Sequence, residues 1–337
     1  MSEMTKRVPL HEKLPLETPF SLHVFPAYMC NFRCNYCLHS LPDEILQKKG
    51  FKRQLMEYNI YKMAIDSCTE FSTKLKALIF AGHGEPLIHP DITKMVAYAK
   101  EKQVADRVEV VTNGSLLTRK LADALIAAGL DRLRVSIQGV TSEAYKRTMG
   151  KDFDFPAFVE GLRYFYQHKQ HTEVYCKIID VALTEPEDEQ KFRDIFTPVA
   201  DEVAIEYEIP FVQEVDNAAL KQNFDRSKQG NSISGAKVCA MPFYMLVLTP
   251  NGDVVPCCST DVPIVLGNIR DMPLMEIWHS SRKNGFCQLH LLGSRGKHPV
   301  CSTCSVPRYG MQEGDYLDGH VAELLPAYPI KCENAKD

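Results

Sequence analysis

Cys30, Cys34 and Cys37 fall within eight residues at C-x3-C-x2-C spacing. One tight loop with that spacing wraps three thiolates around a single metal centre. Three ligands are one short of a closed structural zinc site. They are also one short of the four thiolates that ordinarily hold an iron–sulfur cube. A cube held by three cysteines keeps one iron open to an outside ligand, and an open iron is a reactive position. A zinc reading needs a fourth donor, and His39 is the nearby candidate.

A second set lies in the last third of the chain. Cys239 precedes a strand-like run at 243–249, and Pro250-Asn251-Gly252-Asp253 reads as a hairpin turn. Asn-Gly suits positive φ at both central turn positions. The return strand delivers Cys257 and Cys258, and Cys301-Ser302-Thr303-Cys304 adds a C-x2-C pair. Cys239, Cys257, Cys301 and Cys304 make a full shell for either zinc or a cube. Cys258 and Cys287 are left over as structural residues, with Cys258 a substitute ligand. Cys68 and Cys176 lie between the sets and Cys332 stands alone. Twelve cysteines in a reducing compartment point to metal binding rather than disulfides.

These residues need a frame. Strand-like runs fall at 22–26, 77–81, 108–112, 133–137, 174–181 and 203–209, and helix-like runs at 58–71, 91–102, 118–128, 156–168 and 186–196. Such alternation predicts βα units around a parallel sheet. Six units are too few for a closed eight-stranded barrel. The expected class is therefore α/β: a partial (β/α)6 barrel with a small C-terminal β-hairpin/helix iron–sulfur module. The expected boundaries are a tail at 1–20, the barrel at 21–215, a polar linker at 216–235, the cysteine module at 236–308 and a tail at 309–337. Sites in these folds gather at the carboxyl ends of the strands. The cysteine trio follows the first strand. Gly82-His83-Gly84-Glu85 ends the second, Thr112-Asn113-Gly114 the third and Ser136-Ile137-Gln138-Gly139 the fourth. Glu206 and Glu208 share one face of the sixth by the period of two. Cys176, on the fifth, is either a small buried hydrophobe or a thiol facing the site.

The cysteine octet, with Tyr36 before its last cysteine, resembles the cluster loop of the radical S-adenosylmethionine (radical SAM) enzymes. The Gly82–Glu85 stretch resembles that family's Gly-Gly-Glu motif, with His83 as a departure. The resemblance implies a [4Fe–4S] cluster whose open iron is chelated by SAM. An electron then cleaves SAM to methionine and a 5′-deoxyadenosyl radical that abstracts hydrogen from a substrate. It implies that Gly82, Gly84 and Glu85 meet the SAM amino group, and that Asn113 and Ser136 meet its ribose or carboxylate. Arg147 would meet the carboxylate by a charge-assisted bond. Cys239, the Gly252-x4-Cys257 hairpin, Gly267-Asn268-Ile269 with Trp278, and Cys301-x2-Cys304 resemble the SPASM/twitch module. The run from 305 to 331 lacks cysteine. The resemblance therefore implies the shortened form, with one auxiliary [4Fe–4S] cluster on Cys239, Cys257, Cys301 and Cys304.

Relatives of that form dehydrogenate aminocyclitols or epimerise aminoglycoside sugars, and flavodoxin or ferredoxin is the family's usual electron donor. The expected activity is oxidation or epimerisation of a sugar, sugar nucleotide or cyclitol, with Cys176 or Cys258 as hydrogen donor in the second case. Modification of a ribosomal peptide, by epimerisation or cross-linking, is the alternative. Many peptide-acting relatives carry a leader-binding domain, and 1–19 is too short for one. A non-enzymatic iron–sulfur or zinc scaffold is the third reading, and the Gly82–Glu85 motif speaks against it. Net charge is −4, with 45% hydrophobic and 24% charged residues. That balance gives no overall footprint for nucleic acid, though it leaves room for a local basic patch. No run of 18 apolar residues and no apolar signal region are present. No membrane association and a cytoplasmic location are expected.

Overall fold

The computed structural model describes residues 8–215 and 224–330. Six parallel strands come first: β1 (Ser21–Val24), β2 (Ala77–Phe80), β3 (Val108–Thr112), β4 (Arg132–Ile137), β5 (Glu173–Ile179) and β6 (Glu202–Glu206). The helices between them are α1 (Asp43–Lys48), α2 (Tyr58–Cys68), α3 (Ile92–Lys102), α4 (Arg119–Ala127), α5 (Ser142–Met149), α6 (Phe155–His168) and, between β5 and β6, α7 (Asp188–Phe196). This is the expected partial barrel. Each long helix forms because apolar residues recur on one face. In α3, Ile92, Met95, Val96 and Ala99 are buried at i, i+3, i+4 and i+7. Side-chain caps fix three starts. Thr118 accepts from Leu121 N, Thr141 from Ala144 N, and Asp154 from Ala157 N.

The sheet has two unlike faces. Leu22, Val24, Leu78, Phe80, Val110, Val135 and Ile178 pack with the helices in the main core. By strict alternation the opposite, inner face carries His23, Glu109, Arg134, Tyr175, Lys177 and Glu206. A barrel closed by helices outside is thus lined with charge inside.

Three details differ from the sequence reading. Helix α5 was not anticipated; its start is set by the Thr141 cap and its end by Gly150 at φ 75°. Strand β5 stops at Ile179 because Asp180–Ala182 turns into a 3-10 helix. The hairpin of the cysteine module extends the same sheet instead of standing apart. β7 (Met245–Leu248) lies parallel to β1, with Ser21 opposite Met245 and Val24 opposite Leu248. β8 (Asp253–Val255) and β9 (Gly267–Asn268) follow antiparallel. The order is β6-β5-β4-β3-β2-β1-β7-β8-β9. The fully buried Met245–Leu248 covers an edge of β1 that would otherwise stay open.

A second core joins Leu10, Val238, Phe243, Leu317, Leu324 and Tyr328. It draws on stretches expected as tails at both ends. Trp278 Nε1 donates to Leu16 O at 2.8 Å, which ties the amino-terminal stretch to the cysteine module. Part of the expected linker, 216–223, lies outside the described residues.

Candidate active site and metal centres

The loop after β1 brings Cys30, Cys34 and Cys37 to the wall of one cavity of about 200 Å³. Gly82, Gly84, Glu85, Asn113 and Ser136, from the carboxyl ends of β2, β3 and β4, line the same cavity. The glycines are there for space. A Cβ on Gly84 would sit 2.2 Å from Ala27 O. At Gly82, where φ is +112°, it would meet the Phe25 ring at 2.3 Å.

Glu85 is buried and locked in place. Its Oε1 accepts from Thr112 Oγ1 at 2.6 Å and from Leu87 N at 2.9 Å; its Oε2 accepts from Asn113 N at 2.7 Å. Burial pushes its pKa up to about 7 against the pull of those three bonds. The second and third strand ends are thereby stitched together. Asn113 Nδ2 donates to Asn31 Oδ1 at 2.9 Å, which attaches the cysteine loop to the same frame. Tyr36 OH and Cys34 Sγ both donate to Gln138 Oε1, the latter at 3.5 Å.

Burial raises all three thiol pKa values, that of Cys30 to about 12. The free loop therefore holds protons that a metal must displace. Phe32 N donates to Cys30 Sγ at 3.4 Å and Asn113 Nδ2 lies 3.8 Å from it, the N–H···S pattern that stabilises a ligating thiolate. His39 is not among the walls of this cavity; its Nε2 meets His83 O at 2.8 Å. The trio therefore fits a cube with one open corner better than zinc with His39.

Cys239, Cys257, Cys301 and Cys304 line a second small cavity. Burial raises the first three, Cys239 to about 12 and Cys301 to about 11. Arg295 and His290 line it too. Both ring nitrogens of His290 and Nε of Arg295 are buried without a hydrogen-bond partner. Burial, Arg295 and His298 hold the His290 pKa down to about 4. The one N–H of the neutral His290 ring and the Arg295 Nε–H, both orphaned beside four thiols, fit a bound group bearing negative charge. Among the described residues no three His, Cys, Asp or Glu side chains gather tightly enough to grip one ion.

Two expected residues fall elsewhere. Cys176 is fully buried among Val135, Val174 and Ile178 in the helix-side core. Alternation turns its thiol away from the cavity, a placement that speaks against the hydrogen-donor role. Arg147 is exposed on α5 and donates to Thr184 Oγ1 at 2.8 Å, and it is not part of the cavity wall. The sequence reading missed Lys177, the neighbour of Cys176, which does line the cavity. The period of two held the signal: if Cys176 faces the helices, Lys177 faces the site.

Lys177 ion-pairs with Glu206, and Lys228 Nζ lies 3.3 Å from the same carboxylate. Burial works against the Glu206 charge, but the two lysines hold its pKa down, to about 2. Burial with Lys228 nearby lowers Lys177 to about 7. Glu208 behaves in the opposite way: burial and the Asp180 charge raise it to about 8. Cys258 Sγ lies 3.6 Å from Nδ1 of His23 on the inner face.

The comparisons with known proteins agree with this geometry. Residues 24–195 match the radical SAM superfamily, and residues 239–305 match SPASM, an iron–sulfur cluster-binding domain. The chain is 23% identical over 295 residues to the AdoMet-dependent heme synthase of Methanosarcina barkeri, covering 72% of this chain and 81% of that protein. It is 22% identical over 288 residues to the S-adenosyl-L-methionine-dependent 2-deoxy-scyllo-inosamine dehydrogenase of Niallia circulans, covering 82% and 88%. The crystal structure of BtrN in complex with AdoMet and 2-DOIA has the same fold, with a TM-score of 0.54 at 20% identity over 88% of this chain and 97% of that one. The cofactors are a SAM-binding [4Fe–4S] cluster, an auxiliary cluster and SAM itself. No helix among the described residues is long and apolar enough to cross a membrane. A loop of three thiols against a glycine-lined cavity, followed by a four-thiol module on the same sheet, makes this chain a member of the radical SAM superfamily of enzymes, with a SPASM-type iron–sulfur region at its carboxyl end.

Proposed function

We propose that the enzyme abstracts hydrogen from a small, polar, hydroxyl- or amino-bearing substrate such as a sugar, sugar nucleotide or cyclitol. The observation that supports this is the charge on the inner face: Lys177, which lines the three-thiol cavity, pairs with Glu206, and the part-exposed Lys228 joins the same carboxylate. Such a surface favours a ligand dense in hydrogen-bonding groups, since an apolar ligand would strip water from the remaining donors and acceptors of these paired charges and offer them no partner in return. The 2-deoxy-scyllo-inosamine dehydrogenase among the relatives supports the same class. The heme synthase bears a different substrate name at similar identity, so the reading rests on the inner face.

When bound, the first cluster supplies the electron that cleaves SAM and releases the hydrogen-abstracting radical. The chain's part is to hold and orient. Cys30, Cys34 and Cys37 hold the cluster. Gly82 and Gly84 let SAM approach the backbone, and Glu85, Asn113 and Ser136 bind its polar groups. Cys239, Cys257, Cys301 and Cys304 hold the auxiliary cluster. Lys177 and Glu208 meet substrate hydroxyls, Glu208 as a donor while protonated.

Cys258 favours epimerisation over oxidation. Of the four described cysteines outside the two ligand sets, Cys68, Cys176 and Cys287 are enclosed in apolar cores, and Cys258 alone adjoins the inner-face His23. Its S–H returns a hydrogen atom to the substrate carbon from the opposite side. The sulfur then regains its own hydrogen by one electron from the external reductant that also serves the first cluster and one proton from solvent.

Anaerobically reconstituted protein with SAM and dithionite tests this. Candidate sugars and cyclitols should raise 5′-deoxyadenosine formation, and deuterated substrate should pass its label into that product. In deuterated water the sugar product should gain solvent deuterium, and Cys258→Ala should abolish that gain while 5′-deoxyadenosine still forms. A response to precursor peptides alone would replace the small substrate. Oxidised product with unchanged turnover in Cys258→Ala would replace epimerisation.

A further inference from the structure

The auxiliary cavity is walled by more than its four thiols. His290, at the end of the helix Ser281–Leu291, is 1% exposed and lines it, as does Arg295 from the turn Ser294–Lys297. Among the described residues neither ring nitrogen of His290 has a hydrogen-bond partner, and Arg295 Nε is also buried without one. We propose that His290 and Arg295 donate N–H···S hydrogen bonds to the auxiliary cluster and thereby make it easier to reduce than four thiolates alone would. The proposal rests on the reading of Cys239, Cys257, Cys301 and Cys304 as that cluster's ligands.

A buried polar group without a partner weakens a fold. His290 packs edge-on against Phe286, with ring centroids 4.9 Å apart, and an apolar side chain would make that contact without the penalty. The penalty disappears when the cavity holds acceptors, and the sulfurs of an iron–sulfur cube are such acceptors. The nearby His298 makes a contrast. Its Nδ1 accepts from Val300 N at 3.3 Å and Cys301 N at 3.2 Å, which fixes the ligand loop. His290 has no such task among the described residues. Arg295 is tied to the same loop, because its Nη2 donates to Cys304 O. It also lines a separate cavity of about 450 Å³ that is open to solvent. Its charge thus stays hydrated on one side while its Nε–H remains for a buried acceptor.

The direction of the effect follows from charge. Reduction adds one electron, and so one negative charge, to the cube and its thiolates, with no atom transferred. N–H donors aimed at the sulfurs, and the positive charge of Arg295, stabilise the more negative state more than the less negative one. Both residues therefore raise the reduction potential. The cluster becomes a better electron acceptor and a poorer donor.

The test uses anaerobically reconstituted holoenzyme, titrated with titanium(III) citrate and followed by EPR. SAM perturbs only the cluster with the open iron, so the signal that SAM leaves unchanged belongs to the auxiliary one. In His290→Leu the midpoint of that signal should fall, with a roughly tenfold weaker one-electron reduction equilibrium, or about 59 mV. His290→Gln keeps an N–H and should keep most of the wild-type potential. Arg295→Met should lower the midpoint too, and Arg295→Lys, which retains the charge, should lower it less. Isotope-labelled histidine should give a weak nitrogen coupling to the auxiliary cluster by pulsed EPR in wild type and none in His290→Leu. An unshifted midpoint in either His290→Leu or Arg295→Met, with iron and sulfide at the wild-type level, would overturn the proposal. So would a strong nitrogen coupling, because His290 would then be an iron ligand. Should His290→Leu lose the cluster, the wild-type nitrogen coupling still decides, and its absence would overturn the proposal. Zinc without sulfide in the wild-type module would instead sink the reading of the four cysteines as cluster ligands.

Discussion

Glu85 shows how much one side chain carries here. Its two oxygens accept from two backbone N–H groups and one hydroxyl. In Glu85→Gln, either orientation of the amide sets an NH2 against a backbone N–H. The mismatch should cost about 1–3 kcal/mol, read as a lower denaturant midpoint. Glu208 gives a prediction with a sign. Its folded pKa of about 8 lies above the ordinary 4.5. The folded state therefore binds the proton more tightly than the unfolded state, and this contribution to stability is complete below 4.5. It is lost as pH rises through about 8. Thermal midpoints across that window should decline less steeply in Glu208→Gln than in wild type. A steeper decline in the variant would reverse the argument.

At the scale of elements, alternation along a strand decides which residues can act. Cys176 and Lys177 are neighbours in sequence and face opposite sides of β5. Cys176→Ala should remove only buried packing, costing about 1 kcal/mol of stability, with 5′-deoxyadenosine yield and product unchanged. Lost turnover in a folded Cys176→Ala would place the thiol back at the site. The β2–α3 connection is tighter still. Gly84→Ala drives a methyl group into Ala27 O, so it should cost about 1–3 kcal/mol and weaken SAM binding, measurable by equilibrium dialysis.

For the whole molecule, one sheet carries both metal centres. The first cysteine set follows β1, and the hairpin β7–β8, laid directly beside β1, delivers Cys257 and Cys258 toward the barrel. The two sets are nevertheless separate cavities with no shared cysteine. Replacing Cys30, Cys34 and Cys37 together by Ala should halve the bound iron, and replacing Cys239, Cys257, Cys301 and Cys304 should remove the other half. Loss of all iron from the first variant would show that the ligand sets are divided differently. Retained iron without response to SAM is the spectroscopic mark expected of the first variant.

Local spacing in the sequence was enough to show both cysteine sets, the glycine motif and the βα alternation. Ligands a few residues apart share one loop whatever the rest of the chain does, and apolar period reports which face an element buries. It did not show that β7 pairs with β1, because that contact joins segments more than 200 residues apart and an apolar run does not say which edge it covers. It left Cys176 open between core and site, since a single buried thiol reads alike from either face. The tertiary fold alone turned Cys176 to the helices, brought Cys258 to His23 and gathered Lys177, Glu206 and Lys228 into one network. Those outcomes depend on curvature and strand order, which bring together groups that no spacing along the chain relates.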